Sequence, residues 1–370
     1  TKLIPSTASR TFQGPLLYMY VPIPAPAREL ISTLRPDVVI FVADSNLPPP
    51  LVEHWRLGIL AATNIPHHTI NLPGGESIKR TDTLELLWTG WQAQGVTRSS
   101  LVVALGGGTV TDVVGLAAST FKRGLSWCAV PTTLLGMVDA AIGGKTAINF
   151  GLVKNLIGTF HPPIAVFTDA QWFSSLQPIE LWNGWMEMAK HALIHSQASW
   201  DAMRRDSPLT MDGNALQDLA IASGQIKSAI VQQDPQEKGL RKTLNFGHTV
   251  GHALEACTMA GPNDAQLPHG MAVGWGMLCA LHWSENRWGC PGAAEARAVI
   301  RGWLTAAGWG AKPAITPSAV WEKMQHDKKN RSGEVLEVGL RAIGEACWDE
   351  RITATAFTTA WTAIEDGASA

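Results

Sequence analysis

Leu101-Val102-Val103-Ala104-Leu105-Gly106-Gly107-Gly108-Thr109-Val110-Thr111-Asp112 sets five aliphatic residues against three consecutive glycines and then opens a run that continues to Thr120. A short, wholly apolar run bounded by glycine reads as a strand buried on both faces of a parallel sheet, and residues 109–120 read as a helix. Glycines let the backbone approach a ligand closely, and the helix start offers free N–H groups at the positive end of the dipole. Strand, glycine turn and helix therefore form a candidate cradle for a pyrophosphate, with Gly107 and Gly108 against the ligand. The pattern is not Gly-x-Gly-x-x-Gly, and a turn made of glycines for steric reasons alone would carry the same letters. Asp112 falls in the first turn, where its carboxylate can cap N–H groups or accept from a ribose or an amide.

Working outward, β-rich runs recur at residues 37–42, 68–72, 126–130 and 164–168, with helical stretches between several of them. Strands alternating with helices predict a parallel sheet covered on both faces. Two further stretches lie at strand ends: residues 73–79, with Glu76 placed for ribose hydroxyls and Lys79 for a phosphate, and residues 131–133, with the hydroxyls of Thr132 and Thr133. The carboxyl end of the strands is where open parallel sheets bind ligands. After Asp169 apolar residues recur at helical spacing, and one further strand is expected at residues 335–340. The predicted organisation is an α/β, Rossmann-like parallel-sheet domain over residues 1–175 and a mainly α-helical domain over residues 176–370, with the active site in the cleft between them.

Composition narrows the partners. A net charge of -2 over 370 residues argues against nucleic acid, and no segment is long and apolar enough to span a bilayer. The stretch from Thr1 lacks a basic-then-apolar leader, and five cysteines in no metal-binding spacing suit reduced thiols, so a soluble cytoplasmic protein is expected. Sixteen tryptophans against two tyrosines show no repeat and are read as packing residues.

The second half carries the candidate chemistry. His248 and His252 stand four apart, so on a helix both imidazoles leave one face a turn apart. That spacing holds metals, yet without the metalloprotease glutamate the motif is also met in packed polar pairs. Glu187, three before Lys190, His248, and His269, just ahead of an apolar helix, would complete a two-histidine, one-carboxylate set with open positions for substrate oxygens. Between Val138 and Phe160, Asp139, Lys145, Lys154 and Asn155 sit among glycines and small apolar residues, where a lysine is costly unless an anion meets it; otherwise this is a surface loop with ordinary lysines. Gly143-Gly144-Lys145-Thr146 lacks the first glycine of a Walker A loop.

Taken together, residues 106–112, 121–124 (Phe-Lys-Arg-Gly), 130–135, 138–146, 154–158, 186–190, 239–253, 268–270 and 327–329 (Asp-Lys-Lys) resemble the 3-dehydroquinate synthases of the shikimate pathway in motif and in order. The resemblance implies a homodimer that uses NAD and one divalent metal, usually zinc with cobalt as an alternative, on a sugar phosphate: 3-deoxy-arabino-heptulosonate 7-phosphate to 3-dehydroquinate and phosphate. It implies transient oxidation by NAD, phosphate loss, return of the hydride, ring opening and aldol closure. Residue by residue, it places the metal on Glu187, His248 and His269. Asp44, Glu76, Lys79, Gly107, Gly108, Asp112, Thr132, Thr133, Lys145 and Lys154 would contact NAD. The substrate phosphate would take Lys145, Asn155, Asn245, His252 and one of Lys328 and Lys329, with Arg123 reaching in from the partner subunit. Lys227 and Arg241 would take the substrate carboxylate, and Asp139, Lys190 and Glu237 the ring hydroxyls or water at the metal. Ala140, Ala141, Ala189 and His191 depart from the commoner residues, and the loop before His269 is somewhat long, without loss of a charged group. Other sugar-phosphate cyclases and metal-dependent alcohol or glycerol dehydrogenases are the rivals. The basic residues for phosphate and carboxylate favour the dehydroquinate reaction, and the retained ligands disfavour a non-catalytic nucleotide-binding scaffold.

Overall fold

The computed structural model describes residues 25–61, 63–151, 153–259, 266–326 and 334–364. Two compact units divide the chain: residues 1–132 with 140–169, and residues 133–139 with 170–370. The first is built on five parallel strands, β1 (Val39–Asp44), β2 (His67–Leu72), β3 (Leu101–Gly106), β4 (Ser126–Pro131) and, after a hairpin, β7 (Ala165–Val166), in the order β2-β1-β3-β4-β7. Every residue of β3 is buried, as its uninterrupted aliphatic run requires of a strand covered on both faces. The helices of this unit are α1 (Ala25–Leu34), α2 (Pro49–Leu60), α3 (Thr81–Ala93) and α4 (Gly108–Thr120). Ile40, Val42, Val102, Ala104 and Ala129 of the strands join Leu87 and Trp91 of α3 and Val110, Val113, Val114 and Ala117 of α4 in one apolar cluster. The glycine turn behaves as its letters predict: α4 starts at Gly108, and a Cβ at Gly106 would sit 2.6 Å from Val110.

Residues 145–160 are not a loop. They form an antiparallel hairpin, β5 (Lys145–Phe150) and β6 (Val153–Phe160), whose inner residues Thr146 and Ile148 are buried while all eight of β6 are exposed. Glycine and lysine punctuation hid an alternation that only β5 keeps, because β5 buries alternate residues while β6 is exposed along its whole length. A Cβ at Gly115 of α4 would come within 2.4 Å of Thr146, so a glycine on the helix admits the hairpin, and Thr159 bonds Ser119 at 2.9 Å.

The second unit is mainly helical: α5 (Pro178–His195), α6 (Gln197–Met203), α7 (Gly213–Gln233), α8 (His248–Thr258), α9 (His269–Trp288), α10 (Ala293–Ala306), α11 (Pro317–Gln325) and α12 (Ala354–Ala363). One hairpin, β8 (Leu336–Ala342) with β9 (Glu345–Arg351), is paired antiparallel; β8 is the expected late strand, and β9 has too mixed a sequence to be read in advance. Helix α9 is buried without a break from Gly270 to Leu281, which makes it the centre of the unit. Tryptophans fill this core. Trp303 meets Trp185 and Trp200 edge to face at 5.6 and 5.5 Å.

Candidate metal and cofactor sites

Helices α8 and α9 both begin on a proposed ligand, and their packing explains why the two histidines meet. Gly247 takes a left-handed turn (φ 76) ahead of His248, and a Cβ at Gly276 of α9 would overlap the Gly247 carbonyl. With a further glycine at Gly251 facing α9, the backbones approach as no larger residue would allow. The start of α9 is pinned to α5 as well. Asn183 Oδ1 accepts from the Gly270 N–H at 2.9 Å, and Gly270 packs on the Asn183 backbone. One turn on from Asn183, Glu187 then faces His269.

The donor atoms converge. Glu187 Oε1 lies 3.2 Å from His269 Nε2 and 3.4 Å from His248 Nε2, and the three side chains offer one atom each within 4.8 Å of one another. Each histidine has its other nitrogen engaged, His248 Nδ1 with the Phe246 carbonyl at 3.2 Å and His269 Nδ1 with Glu255 Oε2 at 3.3 Å. Two imidazoles held by Nδ1 and one fully buried carboxylate make a donor set suited to zinc or another divalent ion. Burial opposes charge on Glu187, but the Lys190 ammonium and His248 outweigh it and hold the carboxyl well below its usual range. Burial likewise opposes charge on His269, yet hydrogen bonds to Glu187 and Glu255 carry it up to about 10, a proton that metal binding would have to displace.

Beside this set lies a buried chain of alternating charge. Lys190 contacts Glu187 Oε2 and stands 3.7 Å from Asp139 Oδ1; Lys227 of α7 donates to Asp139 Oδ1 and to its carbonyl, both at 2.7 Å. Asp139 sits in a single π-helical turn, Gly136–Ala140, a distortion frequent at functional sites. Burial would raise its carboxyl, but Lys227 and Lys190 override burial and hold it well below the usual range. His191 Nε2 is 3.6 Å from Asp139 and its Nδ1 meets Ser223 Oγ at 2.8 Å; burial brings its pKa down to about 4, so it stays neutral near pH 7.

His252 follows on α8, exposed, its ring 5.2 Å from that of His248 and 6.3 Å from that of His269. Glu237 has a left-handed backbone (φ 59) and accepts from Asn245 Nδ2 at 2.7 Å. Arg241 is buried, with Nη1 donating to the Pro235 carbonyl at 2.7 Å. Asp234 shapes this segment by accepting from the backbone N–H groups of Lys238, Gly239 and Arg241. Lys328 and Lys329 lie outside the described residues.

In the first unit several of the predicted cofactor residues lie at or just past strand ends. Asp44 closes β1, Gly107 and Gly108 lead from β3 into α4, and the Thr132 N–H donates to the Gly106 carbonyl at 3.0 Å just past β4. Lys79 is buried and bonded at 2.6 Å to both Asp112 and Asn155. This joins two residues read as cofactor contacts to one read as a phosphate ligand. Asn149, which sequence reasoning missed, ties the same place together: Nδ2 donates to Glu76 at 2.8 Å and Oδ1 accepts from the Asn155 N–H at 2.8 Å. Asn155 itself is left-handed (φ 52), a conformation asparagine tolerates better than most residues. Lys145 and Lys154 are exposed on the hairpin, and Thr133 lies in the second unit, where its hydroxyl caps the Gly136 N–H at 3.0 Å. Arg123 is exposed and left-handed (φ 67) after α4. The start of α4, entered from Gly107 and holding Asp112 in its second turn, combines N–H donors with a carboxylate acceptor, a pairing that fits a dinucleotide.

The family model for the 3-dehydroquinate synthase N-terminal region matches residues 69–183, and that for the C-terminal region matches residues 184–330. The chain belongs to the 3-dehydroquinate synthase family. A 3-dehydroquinate synthase from Parabacteroides distasonis is 35% identical over 331 residues, 88% of this chain and 91% of that protein. Among solved structures, 2-epi-5-epi-valiolone synthase from Streptomyces hygroscopicus, with NAD+ and Zn2+ bound, is similar with a TM-score of 0.80 at 25% identity, covering 98% of this chain and 99% of that one. A 2-deoxy-scyllo-inosose synthase complexed with carbaglucose-6-phosphate, NAD+ and Co2+ gives 0.79 at 24% identity, covering 92% and 94%, and bears on the fold alone. The α/β sheet followed by a helical unit is thus the fold of this family and its sugar-phosphate cyclase neighbours. Among the described residues, no helix is long and apolar enough to cross a membrane.

Proposed function

We propose that this 3-dehydroquinate synthase family member converts 3-deoxy-D-arabino-heptulosonate 7-phosphate to 3-dehydroquinate and inorganic phosphate. The observation that carries the reading is the convergence of Glu187, His248 and His269 next to the chain Lys190, Asp139, Lys227. When bound, NAD supplies a reversible hydride acceptor and a divalent metal, zinc or cobalt, supplies a Lewis acid that grips and polarises substrate hydroxyls. The residues for NAD are Asp44, Glu76, Lys79, Gly107, Gly108, Asp112, Thr132, Thr133, Lys145 and Lys154. Glu187, His248 and His269 hold the metal.

The protein's other groups manage protons and charge. Asp139, kept ionised by two ammonium groups, and Lys190 between two carboxylates are placed to orient ring hydroxyls and to share a proton with them, and Glu237 serves the same end. Lys227 and Arg241 bind the substrate carboxylate, and this basic pair separates the substrate from sugar phosphates that lack one. His252, Asn245, Asn155, Lys145 and one of Lys328 and Lys329 take the phosphate and stabilise its charge as it leaves.

The site is completed by a second copy of the chain, which contributes Arg123. Support comes from the hairpin: Phe150, Val153, Leu156, Ile157 and Phe160 are 42–59% exposed within eleven residues, an apolar edge of the kind that pairs with another chain. Phosphate release from the heptulosonate phosphate, with NAD and zinc, and its loss on chelation, test the assignment. Turnover confined to sedoheptulose 7-phosphate or glucose 6-phosphate would overturn it.

A further inference from the structure

We propose that Glu255 is a positioning residue for the metal centre: it accepts the Nδ1–H of His269 and so turns the lone pair of Nε2 toward the ion. The proposal rests on the metal assignment above. A neutral imidazole carries one proton, and only the bare nitrogen can ligate, so whatever holds the other nitrogen selects the binding tautomer. The His269 ring bridges two carboxylates, Glu255 Oε2 at 3.3 Å from Nδ1 and Glu187 Oε1 at 3.2 Å from Nε2. A carboxylate on the Nδ1 side keeps the proton there and leaves Nε2 to the metal.

The two histidines are held differently. His248 uses the carbonyl of Phe246 from its own helix entry, a neutral partner supplied by local backbone. His269 has the most exposed side chain of the three ligands, 29% against 10% for His248 and none for Glu187, and it stands at the first position of α9. With less packing to fix its ring, a hydrogen bond from another element has more to do. Glu255 comes seven residues after His248 on α8, two turns along the same face, so one helix carries a ligand and the residue that orients its neighbour. Glu255 is itself held, with 17% of its side chain exposed.

The experiment titrates the metal-free full-length protein with cobalt(II), reading the visible absorption band, and repeats the titration in competition with zinc. Wild type, Glu255→Ala, Glu255→Gln and His248→Ala are compared. Glu255→Ala should weaken both metals roughly 10- to 100-fold and change the cobalt band. Glu255→Gln, whose amide oxygen can still accept from Nδ1, should lose clearly less and keep the wild-type band. A merely structural role would lower the melting temperature without moving the band. The proposal is overturned if Glu255→Ala binds cobalt like wild type, or if Glu255→Gln fails to rescue the band. If wild type takes up no metal, or His248→Ala takes it up undiminished, the metal assignment itself falls, which separates the two failures.

Discussion

The two units build their sites from different materials. In the first, polar groups from the segment between β2 and α3, from α4 and from the β5–β6 hairpin satisfy one another: Lys79 bridges Asp112 and Asn155, and Asn149 bridges Glu76 and Asn155. In the second, charges are buried and opposed, with Glu187, Lys190, Asp139 and Lys227 alternating in sign around two histidines. Apart from buried Lys79, the first unit's hydrogen bonds join partly exposed groups and can be exchanged for a ligand at little cost, whereas removing one member of a buried ionic chain leaves its neighbour uncompensated. Single substitutions in the first unit should therefore register as losses of affinity, and those within the buried ionic chain of the second should fail outright.

His248→Ala tests the hard end of this contrast. Metal retention should be abolished and turnover should fall by about three orders of magnitude or more, the scale expected when a charge-stabilising group is lost entirely; metal analysis and phosphate release check both. Lys190→Ala comes next. It leaves Glu187 and Asp139 facing each other without their shared cation, and a stability loss of about 3–5 kcal/mol should appear in denaturant melts together with a collapse of kcat. His252→Ala should keep the metal while phosphate elimination slows by roughly 10²-fold, within the range for loss of one charge-stabilising donor. Equal metal loss in His248→Ala and His252→Ala would contradict the division of roles between the pair.

Smaller effects belong to the first unit and to pH. Lys79→Ala should raise the KM for NAD by about tenfold, near 1.4 kcal/mol, with metal content unchanged. The buried His191 gives a pH signature. Its folded pKa is depressed to about 4 from an ordinary 6.5, so the unfolded chain takes up a proton below 6.5 that the folded chain refuses until about 4. That contribution to stability is whole above pH 6.5 and declines as acid is added through this window. Melting temperature against pH should show the decline in wild type and a flatter slope in His191→Asn.

What could be read from sequence follows the same contrast. Strand β3, its glycines and α4 are contiguous, and local patterning alone predicts them to within a residue. The metal ligands are separated by up to 82 positions, so helical spacing could pair His248 with His252 but could not bring Glu187 or His269 to them. Donor chemistry could nominate them and the motif resemblance assigned them, and the structure supplies the cause in the glycines that let α8 and α9 touch and in the Asn183 clasp on Gly270. Glu255 and Asn149 escaped because a glutamate late in a helix and an asparagine in a hairpin carry no signal of their own. The hairpin escaped for a different reason: β6 is exposed on both faces, so it lacks the alternation that marks a strand.

The central claim is that one NAD and one divalent metal serve a single redox-neutral elimination. Following absorbance at 340 nm and phosphate together during turnover of the heptulosonate phosphate, with substrate in excess over NAD, tests it most directly. The account predicts phosphate equal to the substrate consumed with no lasting NADH, and no phosphate after chelation. NADH accumulating until the supplied NAD is exhausted, without phosphate, would contradict it.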